Sequence, residues 1–363
     1  MKICFLADAT SPHVLRWVKY FINGSHEVTI ISHVLPDEPL EGCEIYKLEK
    51  GLKYITFWNR IRKIKALLRK IKPDLVHAHY ITTYGFMAAL SGFHPLIISV
   101  WGSDILIAPK ESRILKYRAK KAIREADFYH CDGIKTRNAL VELGAPADRI
   151  KTVYFGIDHS RASPDARTDE IKENYGFSGH PVIISLRSLN PIYDIGSLVR
   201  AVPFILAKHP EARFIIVGSG SEELMLKNLA KSLKITEQVK FVGQVPYQDI
   251  PRLLASSDIY VSTSLSDAGL AASTGEAMAC ELPVVITDDP DNRDWVENGI
   301  NGFIVPVKSP EKIAEKINVL LGDETLRKDF GKRNRAIILE RNDYNREMGK
   351  MEQIYQEIIE ENL

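Results

Sequence analysis

The sequence predicts an α/β protein of two domains, each built around a mainly parallel sheet. Three observations carry this. Short apolar runs alternate with amphipathic stretches from the first residues, the alternation lapses once near the middle and restarts, and 363 residues suit two ordinary domains with separate cores. Repeated β-α-β units imply strands covered on both faces and ligands at their carboxyl ends, so binding residues are expected in the loops just after strands.

In the first domain, expected over residues 1–165, Ile3-Cys-Phe-Leu-Ala7 reads as a strand, Leu15 to Ile22 as a helix and Val28-Thr-Ile-Ile31 as a strand. A basic helix over 57–72 follows, then a strand at Leu75-Val-His-Ala78, a helix near Phe86 to Ser91 and a strand at Leu96 to Val100. Between Gly156 and Pro181 the periodicity lapses into a stretch with Pro164, Gly176 and Gly179, rich in Asp, Arg and Ser, which places the boundary there. The second domain, expected over 175–340, repeats the rhythm. Its strands are Val182–Ser185, Phe214–Val217, Val239–Val242, Ile259–Val261, Val284–Ile286 and Gly302–Val305. Helices are expected over Ile195–Lys208, Glu222–Leu233, Ile250–Ala255 and after Gly269, and Asn345 to Glu360 is a final amphipathic helix with no strand behind it. Two such domains facing each other across a cleft would suit a group transfer.

Composition excludes several classes. With 45% hydrophobic and 26% charged residues and no low-complexity tract, the chain is folded rather than disordered. No apolar run reaches the roughly 18 residues of a membrane span, and MKICFLAD lacks the apolar core of a signal peptide. The expected location is cytoplasmic. Cys4, Cys43, Cys131 and Cys280 lie far apart without a C-x-x-C pair or a flanking His cluster, and read as buried thiols rather than a disulfide framework or a zinc site.

The net charge of +1 conceals an asymmetry of +8 through Asp165 and −7 beyond it. Much of the positive charge lies in Phe57 to Lys72, with seven basic residues, no acid, and Ile61, Ile64, Leu67, Leu68 and Ile71 at helical spacing. Its apolar stripe is expected to pack on its own sheet. The basic face, beside Trp58, is either solvated or meets an anionic membrane surface or phosphorylated acceptor. It lacks aromatic platforms for bases, and the chain is near neutral, so nucleic acid is not an expected partner.

The chemistry concentrates in Ser264-Leu-Ser-Asp-Ala-Gly-Leu-Ala-Ala-Ser-Thr-Gly-Glu-Ala-Met278. Gly269 permits a tight turn before a helix, and Leu270, Ala271 and Ala272 then offer backbone N–H groups at its positive end, an anion site. Glu276, further along, would reach toward whatever carries the anion. A nucleotide sugar fits, its diphosphate over the helix start with Ser273 and Thr274 hydroxyls adding bonds and its ribose near Glu276. Arg187, just after a strand, could grip the diphosphate bidentately. Val217-Gly-Ser-Gly220 resembles half a dinucleotide fingerprint and is weak alone. In the first domain Trp101 and Asp104 follow the strand ending at Val100, and His77 and His79 share a face of the preceding strand. No third ligand accompanies these histidines, so no metal is expected. His13 follows the first strand and is placed with the acceptor or as a helix cap.

Taken together, Val217-Gly-Ser-Gly220, Phe241-Val-Gly-Gln-Val-Pro246, Ile250 to Val261, Glu276-Ala-Met-Ala-Cys-Glu-Leu-Pro-Val-Val285 and Glu297-Asn-Gly-Ile-Asn-Gly-Phe-Ile-Val-Pro306 resemble the retaining glycosyltransferases of family 4 over essentially the whole chain. The resemblance implies the GT-B fold, with two facing Rossmann-like domains and a tail helix, residues 340–363, crossing back to the first. It implies a nucleotide-sugar domain at the C-terminal side, an acceptor domain at the N-terminal side, and catalysis without a divalent metal or other cofactor. By it, Glu276 matches the second Glu of the E-x7-E motif and contacts the donor ribose, Gly243 and Gln244 lie where the base docks, and Arg187 neutralises the diphosphate.

Three positions depart from the family pattern. The first Glu of the motif falls on Ala268, with Asp267 one step out of register; the partner Lys of Arg187 is Ile192, beside Tyr193; and the His of H-G-x-D is Trp101. Asp267 and Tyr193 are expected to compensate, and Trp101 to stack on a sugar face.

The expected function is transfer of a sugar from a nucleotide diphosphate sugar to a hydroxyl of a glycan, lipid-linked or small-molecule acceptor, with retention of configuration. Asp267, Glu276 and Arg187 are the catalytic candidates. The donor contacts are Gly218, Gly220, Gly243, Gln244, Tyr193, Gly269, Leu270, Ala271, Ser273 and Thr274, and the acceptor contacts His13, His79, Trp101 and Asp104. Two rivals are a nucleotide-sugar epimerase of the same architecture, using the histidines as acid and base, and a nucleotide-sugar-binding relative with little turnover.

Overall fold

The computed structural model describes residues 1–49 and 54–361, with side chains from residue 56 onward in the second stretch. Two compact units emerge: Met1–Tyr154 together with the chain from Glu347 onward, and Phe155–Arg346.

Among the described residues, unit 1 holds a seven-stranded sheet. Its strands are β1 (Lys2–Leu6), β2 (Glu27–Ser32), β3 (Cys43–Lys47), β4 (Leu75–His79), β5 (Leu96–Ser99), β6 (Phe128–Cys131) and β7 (Ile150–Thr152), in the order β3-β2-β1-β4-β5-β6-β7. Every pairing is parallel, with Phe5 opposite both Ile30 and His77. The four strands expected from the sequence, β1, β2, β4 and β5, lie side by side in the middle of the sheet and are almost wholly buried. The other three were not expected from the sequence. Alternating, half-exposed Cys43-Glu-Ile-Tyr-Lys47 lies at an edge, β7 is a three-residue edge strand, and β6 carries polar His130 inside the sheet.

The basic helix spans Tyr54–Ile71. Ile61, Ile64, Leu68 and Ile71 are buried in the unit core with Leu67 packed against it, so the apolar stripe covers its own sheet. Burying four such side chains stabilises the unit by roughly 6–12 kcal/mol before entropic costs. Cys4, Cys131 and Cys280 are buried free thiols, while Cys43 is half-buried.

Unit 2 holds a six-stranded parallel sheet among the described residues. It comprises β8 (Val182–Leu186), β9 (Arg213–Val217), β10 (Val239–Gly243), β11 (Ile259–Ser262), β12 (Val284–Thr287) and β13 (Gly302–Val305), ordered β10-β9-β8-β11-β12-β13. Residues 155–165, expected with the first domain, group with this unit. The Gly156 amide donates to Asn342 Oδ1 at 2.9 Å, Ile157 N–H to Asn342 O at 2.7 Å, and Tyr344 N–H returns to Ile157 O at 3.1 Å. A short helix, Asp169–Asn174, stands in the stretch where the periodicity lapses.

The tail helix runs Tyr344–Glu361, and residues 362 and 363 of the expected tail lie outside the described residues. From Glu347 it belongs to unit 1. Tyr355, fully buried, stacks on Phe21 with ring centroids 5.0 Å apart. Its hydroxyl also meets His77 Nδ1 and starts a chain of bonds: His77 Nε2 to Ser99 Oγ at 2.6 Å, Ser99 Oγ to His130 Nδ1 at 2.8 Å, and His130 Nε2 to Val153 O at 2.9 Å. A carbonyl only accepts, so His130 carries its proton on Nε2. Each preceding donor is then fixed back to the Tyr355 hydroxyl, and both histidines are neutral.

Replacing Tyr355 by Phe leaves His77 Nδ1 buried without its donor. The expected result is a loss of about 1–3 kcal/mol in denaturant unfolding, with unchanged far-ultraviolet circular dichroism.

Candidate functional site

In unit 1 the loops at the carboxyl ends of β4 and β5 gather most of the expected acceptor residues. His77 and His79 share a face of β4, ring centroids 4.6 Å apart, and both are fully buried. Neither ring nitrogen of His79 has a partner among the described residues. Burial, then the neighbouring histidines, depresses their basicity, His79 to about 3 and His77 well below its usual value; burial takes His130 to about 4 against the opposing bond to Val153 O. No group of His, Cys, Asp or Glu suited to a metal ion occurs among the described residues.

After β5, Gly102 turns the chain at φ +111°, a conformation that disfavours a side chain. Asp104, buried, accepts from the N–H of Trp101 at 2.9 Å and of Ile81 at 2.8 Å. Burial raises its carboxyl to about 6 against these backbone bonds. Asp104 is thus a brace that holds the Trp101 loop onto the segment after β4. His79 lies inside as well, its ring 5.4 Å from that of Trp101, while exposed His13 stacks on Trp101 at 5.7 Å and 19°. Of the four expected acceptor residues, His13 and Trp101 reach the surface and His79 and Asp104 act from beneath.

In unit 2 the loops after β8, β9, β11 and β12 converge. Arg187, just beyond β8, pairs with the carboxylate of Asp267, and both side chains are nearly buried. Ser264 Oγ donates to the same carboxylate at 3.1 Å, and the guanidinium lies over the Tyr193 ring, 4.5 Å from its centroid. Tyr193 therefore covers the arginine as a cation–π partner. Ile192 and Tyr193 are tied to the segment after β11 through Leu265 N–H to Ile192 O, 2.8 Å, and Thr263 Oγ1 to Tyr193 O, 2.9 Å.

The helix after Gly269 spans Ala272–Ala279. Gly269 takes φ +67°, and Ala271 at the N-cap offers no side-chain acceptor to the amides of the first turn. The hydroxyls of Ser273 and Thr274, expected to face the ligand, instead engage the Tyr260 hydroxyl at 2.9 and 3.4 Å. That phenol is fully buried in β11 and takes the Thr274 proton, so Thr274 has its backbone N–H for an anion, while the Ser273 hydroxyl is shared with the phenol and keeps further bonding capacity. Glu276 sits half-buried in the same helix.

Gly218 and Gly220 have a packing reason of their own. A Cβ on Gly218 would lie 2.2 Å from Arg187 O, and one on Gly220 2.3 Å from Leu189 O. The loop after β9 thus fits against the loop that carries Arg187 only without side chains. Gly243, at the end of β10 with φ +71°, has open space around it, and Gln244 beside it is exposed.

Sequence reasoning missed Asp289 and Asp291. These buried carboxylates of the β12 loop accept from Asp267 N–H at 3.4 Å and Gly269 N–H at 2.9 Å and hold the turn before the helix. The signal was Asp288-Asp-Pro-Asp291 directly after a strand.

Two units, each with a parallel α/β sheet, make up the GT-B architecture, and the second carries a loop-borne arginine and an uncapped helix start at the carboxyl edge of its sheet. Residues 167–337 match the family described as Glycosyl transferases group 1, and residues 2–137 match Glycosyl transferase 4-like. Spore coat protein SA of Bacillus subtilis (strain 168) is 31% identical over 202 residues, 52% of this chain and 53% of that protein, so the chain spans about half the length of this relative. N-acetyl-alpha-D-glucosaminyl L-malate synthase of Bacillus anthracis is 25% identical over 311 residues, 82% of this chain and 78% of that one. The crystal structure of Anabaena HepE in complex with UDP-glucose superposes with a TM-score of 0.82 at 21% identity, covering 99% of this chain and 100% of that one. Residues 2–137 and 167–337 are thus each similar to a glycosyltransferase domain, the first of the 4-like kind and the second of group 1.

The buried histidines predict an acid-labile unit 1. Each stays neutral when folded and takes a proton when unfolded, so its contribution is complete above the ordinary value of 6.5 and lost as pH falls toward 4. Asp104, raised to about 6, works in the opposite sense but is one group against three. Urea unfolding followed by tryptophan fluorescence should show a loss on the order of several kcal/mol between pH 7.5 and 4.5; a midpoint independent of pH would contradict it.

Proposed function

We propose that this glycosyltransferase moves a sugar from a nucleotide diphosphate sugar to a hydroxyl of a glycan, lipid-linked or small-molecule acceptor, with retention at the anomeric carbon and without a divalent metal. The observation that carries this is the uncapped start of Ala272–Ala279 beyond the Gly269 turn, with Arg187 in the adjoining loop. Backbone amides at a helix start, the positive dipole end and a guanidinium suit a departing diphosphate. HepE, solved with UDP-glucose, supports a nucleotide sugar as donor, and the Bacillus anthracis relative, named for a glucosaminyl L-malate, supports a small hydroxyl acceptor.

In this reading Glu276 holds the donor ribose, Gly243 and Gln244 the base, and the backbone of Leu270 and Ala271 the phosphates, with the Gly269 amide bonded to Asp291 to hold the turn. Trp101 and His13 offer a stacking surface to the acceptor, supported from beneath by His79 and Asp104. Transfer breaks the bond from the anomeric carbon to the phosphate oxygen and forms one to the acceptor oxygen on the same face. The acceptor proton passes to the departing phosphate, giving a glycoside and a nucleoside diphosphate. Charge at the transition state is met by Arg187 and the helix amides. Accordingly Arg187→Ala and Glu276→Ala are each expected to cut transfer by about ten-fold or more, measured as nucleoside diphosphate release with acceptor present; near-normal turnover in either would reject the assigned site.

The acceptor side includes a second feature. No helix among the described residues is long and apolar enough to cross a membrane. At the amino ends of β4 and β5, a cavity of about 650 Å³ is lined by Lys65, Arg69 and Lys72 over Leu68, Pro73 and Phe93. We take this face to rest on anionic lipid at the cytoplasmic side of a membrane, where three cations around an apolar floor suit phosphate headgroups. Vesicles containing phosphatidylglycerol should sediment the protein at low salt and release it at high salt, and Lys65→Glu with Arg69→Glu should weaken binding several-fold while neutral phosphatidylcholine vesicles bind neither form.

A further inference from the structure

The Arg187–Asp267 pair raises a question that the donor reading alone leaves open. A guanidinium expected to meet a leaving diphosphate is already neutralised, nearly buried, by a carboxylate from the loop that leads into the phosphate-binding helix. The pair is built rather than incidental. Ser264 Oγ donates to the Asp267 carboxylate at 3.1 Å, the Tyr193 face covers the guanidinium at 4.5 Å, and the Asp267 amide is held on Asp289. Where a second cation could stand, the chain has Ile192. Arg187 and Asp267 together contribute no net charge to a diphosphate carrying about two.

Resting on the donor reading, we infer that Asp267 is a specificity-setting competitor for Arg187: the incoming diphosphate must draw the guanidinium away from this carboxylate, so the pair lowers affinity for the phosphates and speeds release of the nucleoside diphosphate product. Two anions share one guanidinium, whose planar fork can bond a carboxylate on one edge and a phosphate on another. The weaker grip falls on the ligand, because Asp267 is tethered and the ligand is not. Such an arrangement favours turnover, since binding spread equally over ground state, transition state and product does not raise the rate of the chemical step. Asp267 then acts through Arg187 as a positioning residue.

The test compares uridine, UDP and GDP binding by calorimetry in the wild-type chain and in Asp267→Asn and Asp267→Ser. Both neutral variants are expected to tighten the better-bound diphosphate by about three-fold or more, to leave uridine unchanged, and to lower kcat through slower product release. A gain confined to the phosphates is not what structural damage produces. Equal or weaker diphosphate binding in folded neutral variants overturns the proposal while leaving the donor site standing. Should the neutral variants unfold while Arg187→Gln/Asp267→Asn folds, the pair is a fixed structural element and the proposal also falls. Absence of diphosphate binding in the wild-type chain would instead remove the donor reading, and this inference with it.

Discussion

Every strand pairing in both sheets is parallel, and that constraint organises the rest of the molecule. A parallel strand cannot be reached by a tight turn; the chain must cross over a face of the sheet, and all strands then release their loops at a common edge. In unit 2 this brings Arg187, Tyr193, Asp267 and Asp289, from three different loops, within bonding reach. In unit 1 it gathers Trp101, His79 and Asp104 in the same manner. The opposite edge is left to other uses, and there the basic helix ends beside its apolar floor.

The sheets differ in how they treat buried polarity. Unit 1 carries neutral histidines inside: His77 and His130 each have one donor and one acceptor along a chain ending on Val153, while His79, outside that chain, has no hydrogen-bond partner among the described residues. Unit 2 places charge close to the interior and neutralises it locally, with aspartates that either accept backbone N–H groups or meet Arg187. A neutral network confers order at small electrostatic cost, whereas a partly buried ion pair retains a charge that another anion can recruit.

What was legible in the sequence followed from local pattern. Continuous apolar strands such as Phe214–Val217 and the amphipathic basic helix are written in consecutive residues, and so is Gly269 before a helix. Edge strand β3 was not legible, because half its side chains face water, nor was β6, whose His130 is satisfied by distant Ser99 and Val153. The site was readable as positions but not as pairings. Arg187 and Asp267 stand 80 residues apart, and nothing near either announces the other. Ser273 and Thr274 read as ligand hydroxyls, and nothing beside them in the sequence shows that both also bond the buried Tyr260 phenol.

The tail helix gives the chain an order of assembly. Unit 2 is inserted between the bulk of unit 1 and the segment from Glu347 that completes it. On the ribosome, six strands of the later sheet are made before Tyr355 arrives to cover Phe21 and cap the histidine chain. The nascent first lobe must therefore wait, with one aromatic flank bare, through the synthesis of nearly two hundred residues, a window in which chaperone shelter would matter more to it than to the lobe threaded inside it.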